Sequence, residues 1–355
     1  MKKLFFIFHI LCFLLLNGFL HAQTMNRYRF EVKEAQYTRL CSTKNILTVN
    51  GSFPGPTLYA RRGESFIVDV FNQGSYNITI HWHGVKMLRY PWTDGPEYIT
   101  QCPIPPGGNF SQKVVLSTEE GTLWWHAHSN WTRATVHGAI VIYPFLNMSY
   151  PFPKPQAEFP IIIGEWWKVD IQTLYYAFLR TGGDPNTSDA LTINGQPGDL
   201  YNCSSQDTFK IAVDKGKTYM LRIINVMMQE LAFFGVAGHN LTVVGTDAAY
   251  TKQFTSSYIA ISPGQTMDVL LSANQNPDNY YMAAKVLEST PFIGYDNTTT
   301  TAIVQYNGNY TPSVPPPSPA SLATMIRMPK PPSQDVCGAS RTNLILFHLK
   351  SLVPM

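Results

Sequence analysis

Turn signals recur along this sequence and confine its regular structure to short pieces. Asn50-Gly51-Ser52, Pro54-Gly55-Pro56 and Pro105-Pro106-Gly107-Gly108 are combinations that favour chain reversal. Between such breaks lie short strand-like runs. They fall at 66–72, 78–83, 113–116 and 139–143, then at 160–164, 218–224, 241–246, 266–273, 280–285 and 302–306. Two adjacent blocks of this kind predict an all-β chain of tandem sandwiches. Charged residues make up 14% of the chain, well below the roughly 25% of an average soluble domain. One short helix is expected around 170–180, where apolar residues recur at helical spacing.

The chain's 355 residues allow two domains. Lys2 and Lys3 precede an apolar run at 4–16 that is too short to span a bilayer and fits the core of a signal peptide. Leu20-His21-Ala22 offers a cleavage site, so 1–22 is expected to be removed and the mature chain to start at Gln23. No later run is long and apolar enough for a membrane anchor. The first domain is expected over 23–148, a linker over 149–156 and the second domain over 157–310. From 311 to 355 a Pro-rich linker runs into a tail expected to be disordered, with 320–355 too short for a further domain.

Secretion changes how other residues read. Cys12 leaves with the signal, and in an oxidising compartment Cys41, Cys102, Cys203 and Cys337 either pair or stand as orphans. N-x-S/T sequons recur, among them Asn77, Asn109, Asn147, Asn186, Asn202, Asn240, Asn297 and Asn309, and predict a glycosylated surface. The formal charge is only +3 with no clustered basic face, which argues against nucleic acid or an anionic membrane surface as partner.

Two motifs carry the chemistry: His81-Trp82-His83-Gly84 and Trp124-Trp125-His126-Ala127-His128. Residues i and i+2 of a strand point to one face, roughly 6.5–7 Å apart, so each H-x-H presents two imidazoles on one side. Trp82 and Trp125 then face the other way. If the two segments lie close together, four nitrogens converge on a site suited to Cu, Zn, Ni or Fe and poor for Mg or Ca. With nine histidines in the chain, H-x-H is expected by chance less than once, and it occurs twice. His137 and His239 lack such a neighbour and read as packing or hydrogen-bonding residues.

HWHGV at 81–85, DGPEYITQCPIPPG at 94–107 and GTLWWHAHSNWTRATVHGAIVIYP at 121–144 closely resemble the first domain of plant laccases. IIIGEWW at 161–167, LTINGQPGDLYNCS at 191–204, QELAFFGVAGHNLTVV at 229–244, DAAYTKQF at 247–254, PGQTMDVLL at 263–271 and DNTTTTAIVQY at 296–306 resemble the second. The resemblance covers about 25–319 and implies tandem cupredoxin-like Greek-key β-sandwiches. Laccases of the multicopper oxidase family have three such domains. They take electrons from phenolic substrates at a mononuclear (type 1) copper, and they reduce O₂ to water at a trinuclear cluster between domains one and three. The resemblance implies copper as cofactor, with O₂ and phenolic small molecules as partners. It also implies secretion to the apoplast and a lignin-related role.

Site roles come from the same resemblance, residue by residue. His81 matches the type 2 copper ligand, His83 and His126 match ligands of one type 3 copper, and His128 matches a ligand of the other. Asp94 matches a carboxylate that assists proton delivery to the reduced oxygen; a turn-forming Asp before Gly95 is an equal alternative. Glu230 falls near the segment that lines the phenol pocket, with a surface acid as the alternative. Cys41 is expected to bond Cys203. Cys102 matches a cysteine that reaches the third domain and is expected unpaired.

The departures matter equally. No cysteine here is flanked by histidines, and no H-x-x-H-x-H segment occurs, so the type 1 site and half of the trinuclear ligands are missing. The chain reads as a form cut before the third domain and is expected to be inactive in isolation. The segment 325–332 can be back-translated so that a one-base shift yields Tyr-Asp-Thr-Asn-Ala-Lys-Thr-Thr, similar to the residues that come after the linker in intact laccases. That points to a frameshift, mis-splice or gene-model error near residue 322. Two alternatives stand beside the laccase reading: a non-catalytic secreted copper-binding protein, and an ascorbate-oxidase-like enzyme, which the spelling of the second domain disfavours.

Overall fold

Alternation of apolar and polar side chains sets the inside and outside of the strands. In Ser65–Asn72, Phe66, Val68 and Val70 are fully buried, and the residues between them face outward. A computed structural model of the chain describes residues 25–183, 186–287 and 294–319. The expected signal segment, Cys337 and the tail from 320 onward lie outside the described residues.

The first half forms β1 (Asn26–Arg39), β2 (Ser42–Val49), β3 (Leu58–Arg61), β4 (Ser65–Asn72), β5 (Ile80–His83), β6 (Asn109–Val115), β7 (Gly121–Ala127) and β8 (His137–Tyr143). They make two four-stranded sheets, ordered β2-β1-β4-β6 and β3-β8-β7-β5. The chain crosses between the sheets after each of β2 to β6, as in a Greek key, and Phe30, Phe66, Trp82, Trp125 and Ile140 fill the space between. The second half forms β9 (Glu158–Trp166), the helix α1 (Ile171–Thr181), β10 (Ala190–Ile193), β11 (Lys210–Val213), β12 (Thr218–Asn225), β13 (Ala232–Val236) and β14 (Leu241–Thr246). It continues with β15 (Ala249–Ser256), β16 (Tyr258–Ile261), β17 (Thr266–Ser272), β18 (Asn279–Val286) and β19 (Thr299–Tyr306). Its sheets are ordered β10-β9-β12-β17-β14-β15 and β11-β19-β18-β13-β16, around a core that includes Leu221, Phe234, Val269 and Val304. The chain is therefore two all-β sandwiches in tandem.

Helix α1 falls where the sequence shows helical spacing. The Asp170 carboxylate caps it by accepting from the Thr173 N–H at 2.9 Å, and Gly182 ends it at φ 62°. No helix among the described residues is long and apolar enough to cross a membrane. The Cys41–Cys203 disulfide links the two halves, with Cα atoms 5.4 Å apart across 162 residues of sequence. Cys102 is exposed and free.

Two features depart from the sequence expectation. The long strand β1 carries Arg, Lys and Glu on its outward positions, and the first half of β2 is polar, which masks the apolar period. Residues 311–319, expected as the start of a disordered tail, are held along β18. The Tyr281 N–H donates to the Pro317 carbonyl at 3.1 Å, and Ser313 donates to the Asp278 carboxylate. The Tyr281 N–H and the Asp278 carboxylate, which also accepts the Asn279 N–H, give a proline-rich segment something to bind.

Trp125 occupies a slot made by missing side chains. A Cβ on Gly138 would lie 2.7 Å from the Trp125 ring and 2.8 Å from the Pro56 carbonyl, and one on Gly55 would lie 2.6 Å from the same ring. Gly138→Ala is expected to lower the unfolding free energy by about 1–3 kcal/mol, the usual cost of overpacking. Urea denaturation measures it; an unchanged midpoint would show that the slot gives way freely.

Candidate metal centre

The site is built from one antiparallel strand pair. In the β5–β7 register His81 lies opposite His126, Trp82 opposite Trp125, and His83 opposite Trp124. Residues directly opposite share a face, so His81, His83, Trp124 and His126 emerge on one side. Trp82 and Trp125 emerge on the other, both fully buried in the first core. One ring nitrogen each from His81, His83 and His126 lies within 4.8 Å of the others. His128, one residue beyond β7 and exposed, joins the group at ring-centroid distances of 5.4 Å from His81 and 5.7 Å from His126.

Hydrogen bonds fix which nitrogen faces the centre. His81 Nδ1 donates to the Asp94 carbonyl at 2.7 Å, and His126 Nδ1 donates to the Ala127 carbonyl at 2.8 Å. A carbonyl only accepts, so in the neutral ring each Nε2 is left bare. His126 Nε2 then stands 3.4 Å from His83 Nδ1. Two nitrogens bound to one ion at about 2.0–2.1 Å and a near-tetrahedral angle would stand roughly 3.3–3.4 Å apart. The donor set thus fits a transition metal that accepts imidazole.

Burial keeps these imidazoles uncharged. It pushes His83 down to about 4, and it pushes His126 well below and His81 below the ordinary histidine value. Trp124 is fully buried and packs against both His83 and His126, at centroid distances of 4.9 and 4.3 Å. Gly95, at φ 114°, presses the Asp94 turn onto β5, where a Cβ would lie 2.6 Å from the His81 Cα. Gln112, fully buried, donates to the Ile80 and Thr93 carbonyls and braces that turn from below.

Asp94 combines a turn role with a carboxylate at the site. Its backbone N–H closes the turn onto Pro91, and its carboxylate oxygen lies 3.5 Å from His81 Nδ1. Burial raises that carboxyl, while His81 and His128 pull it down. Glu230 is half-buried and lines a cleft of about 390 Å³ together with His128, Trp131, Glu165 and Trp167. Glu165 is a residue that sequence reasoning misses. It is buried, its pKa is raised by burial to about 7, and it accepts the Met228 N–H at 2.7 Å. Its signal is available as the single acid in the apolar run at 161–167. Trp124 is missed too, because a buried Trp reads as core. Of the other histidines, His137 Nδ1 donates to the Arg133 carbonyl, and His239 bridges the Ala237 carbonyl and the Tyr306 hydroxyl. The eight sequon asparagines named above are all exposed.

Two family models described as multicopper oxidase match the chain, one over residues 31–146 and one over 157–309. Laccase-14 of Arabidopsis thaliana is 55% identical over 306 residues, covering 86% of this chain and 53% of the relative. Putative laccase-9 of Oryza sativa subsp. japonica is 56% identical over 309 residues, covering 85% of this chain and 53% of the relative. The chain spans about half the length of these relatives. Among solved structures, the laccase from Botrytis aclada superposes with a TM-score of 0.71 at 26% identity, covering 82% of this chain and 54% of that one. The blue copper oxidase from Nitrosomonas europaea shares the fold, with a TM-score of 0.64 at 21% identity, covering 79% of this chain and 86% of that one.

His137 gives the uncharged histidine layer a thermodynamic signature. It is buried beside His126 on β8, and burial lowers its pKa to about 4. Between about pH 6.5 and 4 the unfolded chain takes up a proton there that the folded chain refuses, so stability falls as pH falls. From pH 7 to 5 this single residue is expected to remove about 2 kcal/mol. In His137→Asn, whose amide can replace the Nδ1 donor, that share of the pH dependence should vanish. Urea unfolding at both pH values checks it, and equal pH dependence in the two proteins would contradict the assignment.

Proposed function

The chain belongs to the multicopper oxidase family, and on that premise we propose that its first sandwich contributes half of a laccase-type copper cluster, with His81, His83, His126 and His128 as ligands. The observation that carries this is the 3.4 Å separation of His83 Nδ1 and His126 Nε2, with His81 alongside. The bare nitrogens belong to rings whose other nitrogen, in His81 and His126, is tied to a backbone carbonyl, so the lone pairs are aimed before a metal arrives. Copper bound there supplies one-electron chemistry and a place for O₂.

This chain's own residues supply orientation and protons. The Asp94 carbonyl turns His81 inward, and the Asp94 carboxyl, whose proton affinity burial raises, stands where it can relay a proton beside the type 2 ligand. Glu230 accepts the hydroxyl hydrogen of a phenol entering the cleft, and Trp131 and Trp167 give that cleft an aromatic wall. The overall reaction in this reading is oxidation of phenolics, monolignols among them, coupled to reduction of O₂ to water in the extracellular space. The exposed sequons carry glycans, and residues 1–22 direct secretion.

A second reading has one observation in its favour. None of the cysteines stands between histidines, so this sequence offers no mononuclear thiolate site to take electrons from a phenol. The chain on its own then acts as a copper-binding protein without turnover.

Copper titration of the purified chain, against a variant with His81, His83, His126 and His128 all changed to Ala, tests the site. The quadruple variant is expected to bind copper more weakly by more than the roughly 10–100-fold that loss of a supporting residue alone costs. The parent is expected to show no intense blue absorption and to oxidise phenols no faster than the variant. Equal copper affinity in the two proteins would remove the half-site. Phenol-driven O₂ consumption by the parent alone would show that the chain is a complete enzyme.

A further inference from the structure

The strand that carries His126 is anchored from outside its own sandwich. Thr122 and Trp124 share the His126 face of β7, and both reach into the second sandwich. The Thr122 hydroxyl donates to the Asp268 carboxylate and accepts from the Arg222 guanidinium at 2.8 Å. The Thr266 hydroxyl donates to the Thr122 carbonyl at 2.6 Å. Two residues on, Trp124 Nε1 donates to the Gly264 carbonyl at 3.0 Å. Gly264, at φ 80°, closes over His83, where a Cβ would lie 3.1 Å from the ring's Cε1 and Nε2. Just before β7, the Glu120 N–H donates to the Ala248 carbonyl and the Tyr250 hydroxyl donates to the Glu120 carboxylate.

The cluster at Thr122 resists sliding. Arg222 is 1% exposed and Asp268 3%, and Arg222 is also bonded to Glu158 at 2.7 Å. Buried charges keep their geometry because each lost partner leaves an unpaired charge out of water. Thr122 is the one member on the histidine strand, four residues from His126. On a strand that is roughly 13 Å of nearly inextensible backbone. Metal ligands must be held within about 0.5 Å of their working positions.

We propose that Thr122 is a positioning residue for the copper half-site: its hydroxyl, locked between Asp268 and Arg222 of the second sandwich, sets the placement of β7 that brings His126 to metal-ligand distance from His83. The inference rests on the half-site reading above. It makes the second sandwich part of the site's framework, although that sandwich supplies none of the four histidines.

Thr122→Val keeps the shape and removes the hydroxyl, and Thr122→Ser keeps the hydroxyl. Both are made in the full chain and compared with the parent by competitive copper titration and by Cu(II) EPR, with near-UV circular dichroism reporting tertiary structure. Folded Thr122→Val is expected to bind copper about tenfold more weakly, within the range usual for residues that orient ligands. Its EPR spectrum is expected to split into more than one species, while Thr122→Ser stays close to the parent in both readouts. If Thr122→Val does not fold, Thr122→Ala removes the same hydroxyl with less bulk and carries the same expectation. A folded Val variant with parental affinity and spectrum overturns the proposal, as does a Ser variant as weak as the Val variant. A parent that binds copper no better than the quadruple His→Ala chain brings down the half-site reading itself, and this inference with it.

Discussion

The antiparallel register of β5 and β7 is the constraint on which the rest depends. It places His81 opposite His126, so two H-x-H motifs more than forty residues apart share one face. A slip of β5 by one residue would send His81 and His83 into the core and Trp82 outward. Trp82 and Trp125 guard against that slip. Both are fully buried, and Trp125 fits only because Gly55 and Gly138 carry no side chain against it. The hydrophobic core of the first sandwich and the geometry of the candidate metal centre are therefore two faces of one strand pair.

The outer face is shaped by polar contacts. The Asp94 and Ala127 carbonyls choose which nitrogens of His81 and His126 are bare, and Trp124 is clasped between imidazoles and the Gly264 carbonyl. Burial adds the electrostatic condition. The rings of His83 and His126 remain uncharged well below neutral pH, so two donors that would repel one another as cations stand together as neutral bases. Electrostatics and packing act together here: the second sandwich closes over His83 at Gly264 and holds the backbone of β7 that presents His126.

Much of this is legible in the sequence. The two-residue period of a strand predicts that each H-x-H pair shares a face, and turn residues predict the all-β architecture. The disulfide between Cys41 and Cys203 comes from the resemblance to laccases rather than from spacing. The features that escape are either masked or non-local. Charged outward residues hide the period of β1, and a polar first half hides that of β2. Glu165 and Arg222 matter through partners far away in sequence, which no local pattern announces. Trp124 reads as core in any sequence because its Nε1 partner, Gly264, lies 140 residues on. The order at 311–319 comes from groups on β18 that its own proline-rich sequence does not contain.

The most direct test of the central claim is anomalous diffraction at the copper edge from crystals of the chain loaded with copper. A copper peak is expected within bonding distance of both His83 Nδ1 and His126 Nε2, with Trp82 and Trp125 unmoved beneath. Copper found only at other surface groups, with these two nitrogens still 3.4 Å apart and no density between them, would contradict it.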